Sequence, residues 1–343
     1  MTSLENILSK YARDIDDTIK AALEDRPEFM RGIIQYHFGW VDQTFSPADS
    51  GRGKMFRPTI TLLVFEAITG GYKDALPLAA AIEMIHNFSL IHDDIEDNDF
   101  ERRGRPTAWT IWGQPRVINF GDFLYSLAFK TMVRLDARKF PAERIFAVLN
   151  LVVDACLKLT EGQELDLRFE NLRDVSTEMY LDMVYKKTGA LVEAAILAAA
   201  RLATSDEEII KHYGDFAQSI GIAFQIKDDV LGIWGDSAKT GKSAANDLRR
   251  KKKTLPVVYM LNKASGQRAE KLRSFYSKAE PLSEAEIDYV RASLEWADAY
   301  NYAQNLADMY REKSFGALRS VDLSNQAQTE LETIAAFLVD RSY

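Results

Sequence analysis

The chain has 343 residues, of which 47% are hydrophobic and 27% are charged, so it contains ample apolar material for a large core. The net charge of −8 argues against general nucleic-acid binding. We expect residues 1–343 to form one domain, although a chain of this length is also compatible with two.

Cysteine usage and the apolar stretches bear on the compartment. Cys156 is the only cysteine and therefore has no intrachain disulfide partner, which is typical of a reducing compartment. The N-terminal segment is acidic and amphipathic and lacks the apolar region of a signal peptide. Glu193 and Arg201 interrupt the longest apolar stretch, so we expect no membrane span. These observations predict a cytoplasmic protein.

Helical periodicity runs through the chain. Apolar residues recur three and four positions apart in LENILSKYARDIDDTIKAAL, then in FAVLNLVVDACLKL, and later in EIIKHYGDFAQSIGIAFQI. Strand-like alternation is hard to find. Two capping boxes, Ser205 with Glu208 and Ser283 with Glu286, predict the starts of later helices. The pattern therefore predicts an all-α fold, a single large bundle of long helices.

Three polar segments interrupt the helices. They are TFSPADSGRG, ERRGRPT and WGDSAKTGKSAANDLRRKKKTLP, and all three contain Arg or Lys. The second and third each follow a pair of aspartates. We therefore expect basic loops to cover an acidic end of the bundle.

The aspartate pairs, Asp93-Asp94 and Asp228-Asp229, each end an apolar helical run. Carboxylates in such surroundings are costly to desolvate unless a cation compensates them. Asp93 and Asp97 are four residues apart, which places them on one helix face, whereas Asp94 points about 100° away. Magnesium takes one or two carboxylates and completes its shell with water and phosphate oxygens. The pairs therefore predict a magnesium site at which two facing clusters bind a diphosphate.

A series of motifs between residues 51 and 260 resembles the all-trans isoprenyl diphosphate synthases, the family of farnesyl and geranylgeranyl diphosphate synthases. The first acidic motif is DDIEDNDFERRGRPT. The others, in the family's order, are GKMFRP, IEMIHNFSLIHDD, INFGDFL, EGQELDL, KKTGAL and FQIKDD, with GKMFRP and the histidine motif preceding the first aspartates. The ordered series is far more specific than any one motif.

The resemblance implies a Mg²⁺ cofactor and a role for each matching residue. The implied metal ligands are Asp93, Asp97 and Asp228. The implied basic partners of the remaining diphosphate oxygens are Arg102, Lys187, Lys242 and Lys252. Thr188 and Gln225 are implied to turn oxygens toward an allylic cation.

A second substrate, isopentenyl diphosphate, is implied to bind beside the allylic diphosphate without metal. Its implied ligands are Lys54, Arg57, His86 and Arg103. Its double bond attacks the cation, and a proton passes to the released pyrophosphate. The resemblance further implies a deep apolar cavity within the bundle and a homodimer.

The sequence departs from the family's pattern at two positions. Gly232 stands where the second acidic motif usually has a fifth-position aspartate, and Lys251 stands where glycine is common. The second departure leaves open which lysine of the run meets phosphate.

Some of these residues also have a structural interpretation. His86 is compatible with a satisfied core histidine, and Lys54 and Arg57 with surface positions at a helix start. Gln163 and Asp166 are compatible with a buried hydrogen-bonded pair and are not assigned to the catalytic set.

Three functions remain open. The first is a chain-elongating prenyltransferase. The second is a terpene cyclase on the same fold, which needs the acidic clusters but no isopentenyl site. The third is a weakly active partner subunit of a heteromeric synthase, which would be expected to lack first-motif aspartates or the following arginines. The retention of GKMFRP with His86 favours elongation.

Product length is predicted from Phe88, which lies five positions before Asp93, roughly 7 Å along the helix axis. An aromatic ring at that depth can form the floor of the cavity, whereas Ser89 is too small. In the family, one aromatic at this position without a second beside it resembles enzymes that stop at twenty carbons. We therefore expect geranylgeranyl diphosphate, with farnesyl diphosphate as the alternative.

Overall fold

The computed structural model describes residues 4–48, 53–235 and 246–339, and helices form nearly all of their regular structure. The predicted all-α class is confirmed. The helices of the first part of the chain are α1 (Leu4–Ser9), α2 (Ala12–Leu23), α3 (Glu28–Phe38), α4 (Phe56–Thr69), α5 (Leu76–Glu96), α6 (Ala108–Trp112), α7 (Gln114–Met132) and α8 (Ala142–Asn171). A 3₁₀ turn (Lys73–Ala75) precedes α5.

The second part of the chain continues the helical pattern. Its elements are α9 (Thr177–Val184), a π-helical turn (Tyr185–Gly189), α10 (Ala190–Ala203), α11 (Glu207–Trp234), α12 (Asn246–Arg249), α13 (Leu255–Lys263), α14 (Gly266–Ser277), α15 (Glu284–Ala297), α16 (Ala299–Arg319) and α17 (Gln326–Val339).

The chain divides into two compact units. The first comprises Met1–Val153, Ala195–Asp206 and Leu323–Leu331, and the second comprises Asp154–Ala194, Glu207–Asp322 and Glu332–Tyr343. The single domain and the central apolar cavity stay predictions.

Helix α5 is the central element of the first unit. Every residue from 78 to 85 is buried, so this part of the helix is enclosed on all sides. It packs against α2, α4 and α7. This burial fixes the direction of the helix, and its last turn carries the first aspartates.

A short hairpin follows the first acidic motif. Strands β1 (Glu101–Arg102) and β2 (Arg105–Pro106) pair antiparallel, and the two residues between them have φ values of 54° and 73°. Positive φ at both central residues is what a tight two-residue hairpin turn requires. The Tyr36 hydroxyl donates to the Pro106 carbonyl at 2.8 Å, which ties the hairpin to α3. The predicted basic loop is therefore an ordered hairpin.

The second unit is built on α11, which packs against α16 along its length. The core beside the π-helical turn contains Tyr180, Met183, Val184, Ile222 and Ile226. The turn approaches α8 very closely: a Cβ atom added to Gly162 would lie 2.2 Å from the backbone nitrogen of Lys187. Gly162, in the EGQELDL motif, thus gives the π-helical turn its space. Such turns occur frequently at functional sites.

One of the two predicted capping boxes is confirmed. The Ser283 N–H donates to Glu286 Oε2 at 2.8 Å, and α15 begins at the next residue. The prediction for Ser205 is wrong, because α11 begins at Glu207 and Ser205 does not occupy its N-cap position. The Ser/Thr-x-x-Glu pattern places a helix start only to within a residue or two.

Two further features concern the expected compartment. Cys156 is a buried free cysteine. A membrane crossing needs about 20 consecutive apolar residues, and none of the helices within the described ranges provides such a stretch.

We expect Gly162→Ala to lower the free energy of unfolding by about 1–3 kcal/mol, the usual cost of overpacking, because its methyl group would collide with backbone at Lys187. Gly316→Ala is the matched control, since a Cβ atom there meets nothing within 4 Å. This control is expected to be neutral or slightly stabilising. Urea unfolding of both variants measures the difference, and equal stabilities would contradict the close approach.

Candidate active site

The first acidic cluster lies at the C-terminal end of α5. Asp93 is in the last turn, and Asp97 is the first residue beyond the helix but keeps helical backbone angles. The Asp97 N–H donates to the Asp93 carbonyl at 2.8 Å, so one full turn separates the two residues. The i, i+4 spacing thus persists where the helix ends, and the two residues project from the same face.

Asp94 differs from Asp93 in its surroundings. It is only 3% exposed, and Arg102 Nε donates to its Oδ1 at 2.6 Å. Burial raises the pKa of Asp94 to about 6, and the charge and hydrogen bond of Arg102 oppose that rise. Asp94 therefore holds Arg102 of the hairpin at the acidic cluster, and its carboxylate is engaged by this protein donor.

Arg57 and His86 are in direct contact in the first unit. Arg57 Nη1 lies 3.1 Å from His86 Nε2. Because a guanidinium only donates, Nε2 accepts, and the proton of the neutral ring is on Nδ1. Burial and the charge of Arg57 lower the pKa of His86 well below its ordinary value. His86 therefore orients Arg57 and leaves its Nδ1–H as a donor.

The surroundings of Arg57 suit an anion. Its Nε is buried without a hydrogen-bond partner among the described residues.

Glu83, one turn before Asn87, accepts from the Asn87 amide at 2.8 Å. Burial raises the pKa of Glu83 to about 7, and Asn87, Arg57 and Arg103 oppose the rise. A polar pair inside an enclosed apolar helix is the sequence signal that could have drawn attention to Glu83.

The hairpin brings Arg103 to the GKMFRP segment. A Cβ atom added to Gly53 would lie 2.9 Å from Arg103 Nη2, so the guanidinium rests on the backbone beside Lys54, whose side chain is exposed. Arg103 also contributes to the lowered pKa of His86. The four residues predicted to bind isopentenyl diphosphate thus all belong to the first unit, where two pairs of them are close together.

The second acidic cluster repeats the arrangement of the first. Asp228 is exposed near the end of α11, whereas Asp229 is 6% exposed. The Tyr180 hydroxyl and the Leu255 N–H both donate to Asp229 Oδ2, the latter at 2.9 Å. Burial raises the pKa of Asp229 to about 7, against the effect of its hydrogen bonds.

The Gly232 departure has a structural counterpart. A Cβ atom at Gly232 would lie 2.2 Å from Asp247 Oδ2, so the carboxylate of Asp247 occupies the space in which a side chain at position 232 would begin. Gly232 is one turn beyond Asp228 on the same helix. The chain thus has a carboxylate at this place, supplied from α12. Nothing in the sequence pattern pairs these two positions.

The lysines of the basic run after α12 differ in their contacts. The Lys251 ammonium donates to the Lys278 carbonyl, and the Lys253 ammonium donates to the Phe169 and Leu172 carbonyls at the end of α8. These two lysines stabilise the loop. The backbone N–H of Lys252 donates to the Asp247 carbonyl at 2.9 Å, next to the second acidic cluster. Lys242 lies outside the described residues.

The π-helical turn presents two predicted site residues. The Lys187 ammonium pairs with Asp166, a residue that sequence reasoning did not assign to the site. Thr188 Oγ1 donates to Gln225 Oε1 at 3.2 Å. The turn thus meets α8 through the Lys187–Asp166 pair and α11 through the Thr188–Gln225 hydrogen bond.

Phe88 belongs to a series of aromatic rings in the first unit. Its ring centroid lies 5.0 Å from that of His92 and 4.9 Å from that of Tyr125 on α7. Tyr125 in turn lies 5.0 Å from Phe129. Tyr125 is a second ring in contact with Phe88, which the sequence alone did not place there.

The donor set determines which metal suits this chain. No group of three or more His, Cys, Asp or Glu side chains in the described ranges is arranged to hold a metal by itself. The acidic clusters offer only carboxylate oxygens. Such a set suits a cation that completes its shell with phosphate oxygens and water, as magnesium does, and does not suit zinc.

Comparison with known proteins agrees with these features. The chain is 36% identical to a short chain isoprenyl diphosphate synthase of Methanothermobacter thermautotrophicus over 344 aligned residues, covering 100% of both chains. It is 35% identical to a geranylgeranyl diphosphate synthase of Mycobacterium tuberculosis over 321 residues, covering 92% of this chain and 90% of the relative.

A solved structure and a family model extend the comparison. The crystal structure of a geranylgeranyl pyrophosphate synthetase from Pyrococcus horikoshii has a TM-score of 0.87 and 33% identity, covering 99% of this chain and 98% of that one. The polyprenyl synthetase family model matches residues 39–294. The chain therefore belongs to the polyprenyl synthetase family of trans-prenyltransferases.

Proposed function

We propose that this enzyme condenses isopentenyl diphosphate with an allylic diphosphate and that Mg²⁺ is bound at Asp93, Asp97 and Asp228. The observation that carries the proposal is the division within each aspartate pair. The second aspartate is buried and bound by protein donors, whereas of the first aspartates Asp93 is partly exposed and Asp228 is exposed. The names of the relatives support the same reaction.

The first step is the loss of diphosphate from C1 of the allylic substrate. The C–O bond breaks and its electrons leave with the diphosphate, so the enzyme must stabilise the growing negative charge. Bound magnesium would supply Lewis-acid stabilisation of those oxygens. Arg102, Lys187 and Lys252 donate to the oxygens that remain, and Lys242 is proposed for the same role. The oxygens of Thr188 and Gln225 stabilise the cation left on carbon.

The second step joins the two substrates. The electrons of the isopentenyl double bond form the new carbon–carbon bond to the allylic C1, which leaves a tertiary cation. Loss of a proton from the neighbouring carbon to pyrophosphate then forms the double bond of the elongated product. Arg57, His86, Arg103 and Lys54 hold the isopentenyl diphosphate during this step.

Elongation is favoured over cyclisation by the pairing of Arg57 with His86. A cyclase binds no second diphosphate. The buried Nε of Arg57, which has no hydrogen-bond partner among the described residues, would then have no anion to bind. A weakly active partner subunit is disfavoured because both acidic clusters and both hairpin arginines are retained.

We further propose geranylgeranyl diphosphate as the main product, because Phe88 lies about 1.4 helical turns before Asp93 and its ring is in contact with that of Tyr125. Farnesyl diphosphate is the alternative. We also propose a homodimer, which the family resemblance implies. We propose a cytoplasmic location as well, and the free Cys156, the only cysteine of the sequence, supports it.

Excess chelator is expected to abolish turnover, and Mg²⁺ or Mn²⁺ to restore it. Asp93→Ala and Asp228→Ala should each lower kcat more than about 100-fold, because the loss of mere outer partners of a metal already costs about 10–100-fold. Asp215→Ala, an exposed position on the same helix as Asp228, is the control and should retain activity. Full turnover of the wild type in chelator would contradict the metal requirement.

Arg57→Ala is expected to raise the KM for isopentenyl diphosphate much more than that for the allylic substrate, since a charge-assisted hydrogen bond contributes roughly 1.5–3 kcal/mol. Arg57→Lys keeps the charge but loses the forked donors, and it should show a smaller increase. Steady-state kinetics with each substrate varied in turn measures the split. Equal increases for both substrates would remove Arg57 from the isopentenyl site.

Phe88→Ala is expected to shift products toward longer chains while the first condensation continues, because the acidic cluster is untouched. Combining it with Tyr125→Ala should lengthen the products further, since the tyrosine ring is in contact with that of Phe88. Phe146→Ala, at a ring that is 70% exposed, is the control. Mass spectrometry of the products gives the distribution, and an unchanged distribution in the double variant would place the floor elsewhere.

A further inference from the structure

The side-chain amide of Gln225 is held at both ends. Its Nε2 donates to Asp229 Oδ1 at 3.2 Å, and its Oε1 accepts from Thr188 Oγ1 at 3.2 Å. An amide has a donating end and an accepting end of nearly the same shape, so its orientation is decided by its neighbours.

Thr188 leaves the orientation open, because a hydroxyl both donates and accepts. Asp229 does not leave it open. Its Oδ2 already accepts from the Tyr180 hydroxyl and the Leu255 N–H, and in the ionised form of Asp229, which these donors favour, Oδ1 can only accept as well. Only the NH₂ end of Gln225 can therefore point to Asp229. The carbonyl oxygen must point the opposite way, to Thr188.

The direction of that oxygen matters for the proposed reaction. An amide oxygen carries partial negative charge and would stabilise a neighbouring carbocation, whereas the NH₂ end would oppose one. The Gln225 oxygen retains a second lone pair beyond the one used by Thr188. Thr188 itself sits on the π-helical turn that Gly162 accommodates.

We propose that Asp229 is a positioning residue that fixes the Gln225 amide with its oxygen toward Thr188 and the reacting allylic carbon. The inference rests on the proposed function, since it assigns a role within the same reaction. Tyr180 supports Asp229 by occupying the carboxylate oxygen that does not face Gln225. Asp229 acts through Gln225 and touches neither metal nor substrate.

Asp229→Asn tests this role with little disturbance of the fold. The donors Tyr180 and Leu255 would bind the new carbonyl oxygen, so the new NH₂ group would face Gln225. The Gln225 amide would then reverse, with its oxygen accepting from that NH₂ group and its own NH₂ group donating to Thr188. Every hydrogen bond is replaced, but the charge presented to the reacting carbon changes sign.

The expected result is a fall in kcat of about 100-fold, similar to the loss of one electrostatic group at a reacting centre. The KM values of both substrates and the magnesium concentration at half-maximal rate should change less than about twofold. Asp215→Asn, on the same helix, should match the wild type.

Adding Gln225→Glu to Asp229→Asn provides the rescue. A carboxylate at position 225 would accept from the asparagine NH₂ group with one oxygen and from Thr188 with the other, so an oxygen again faces the reacting carbon. Most of the lost kcat should return. A purely structural role for Asp229 predicts no such recovery, since the double variant removes one more native contact.

A second measurement does not depend on turnover. In ¹⁵N-labelled wild-type protein the Gln225 side-chain NH₂ resonance, identified by its loss in Gln225→Glu, should show the downfield proton of a carboxylate hydrogen bond and lose it in Asp229→Asn. An inactive wild type would refute the proposed function, whereas this resonance still decides the orientation. Unchanged kcat or an unchanged resonance in Asp229→Asn, or no recovery in the double variant, would overturn the inference.

Discussion

The helical rotation of about 100° per residue is the constraint on which both acidic clusters depend. In each Asp-Asp pair it sends one carboxylate outward and the next into the protein. The inner carboxylates, Asp94 and Asp229, are 3% and 6% exposed and are bound by protein donors. The outer ones, Asp93 and Asp228, lie on more accessible faces of their helices. One sequence pattern thus provides a more accessible carboxylate and a buried structural anchor together.

The two anchors connect different elements. Asp94 binds the hairpin that carries the arginines, so the acidic end of α5 and the basic segment after it are held together. Asp229 binds the N-terminus of α13, which follows the lysine run, and reaches Gln225 at the same time. Buried carboxylates are stable only when such donors surround them. The requirement for compensation therefore places Arg102 beside Asp94, and the first backbone N–H of α13 beside Asp229.

Close backbone approach is the second recurring device. The π-helical turn lies against α8 because Gly162 has no side chain, and the carboxylate of Asp247 lies against α11 because Gly232 has none. At the second position the departure from the family's pattern coincides with a carboxylate from elsewhere in the chain. The physical consequence of an unusual glycine can therefore be read only from what fills the space beside it.

The sequence by itself determined the all-α class, the two acidic clusters, the basic segments that follow them and the family, because helical periodicity and charge spacing are local properties. It did not determine the partners of each charge. The contact of His86 with Arg57, the pairing of Asp166 with Lys187, and the contact of the Tyr125 ring with that of Phe88 join residues on different elements. Only tertiary packing brings such residues within reach, since a hydrogen bond or ring contact depends on distance in space and leaves no periodic trace along the chain.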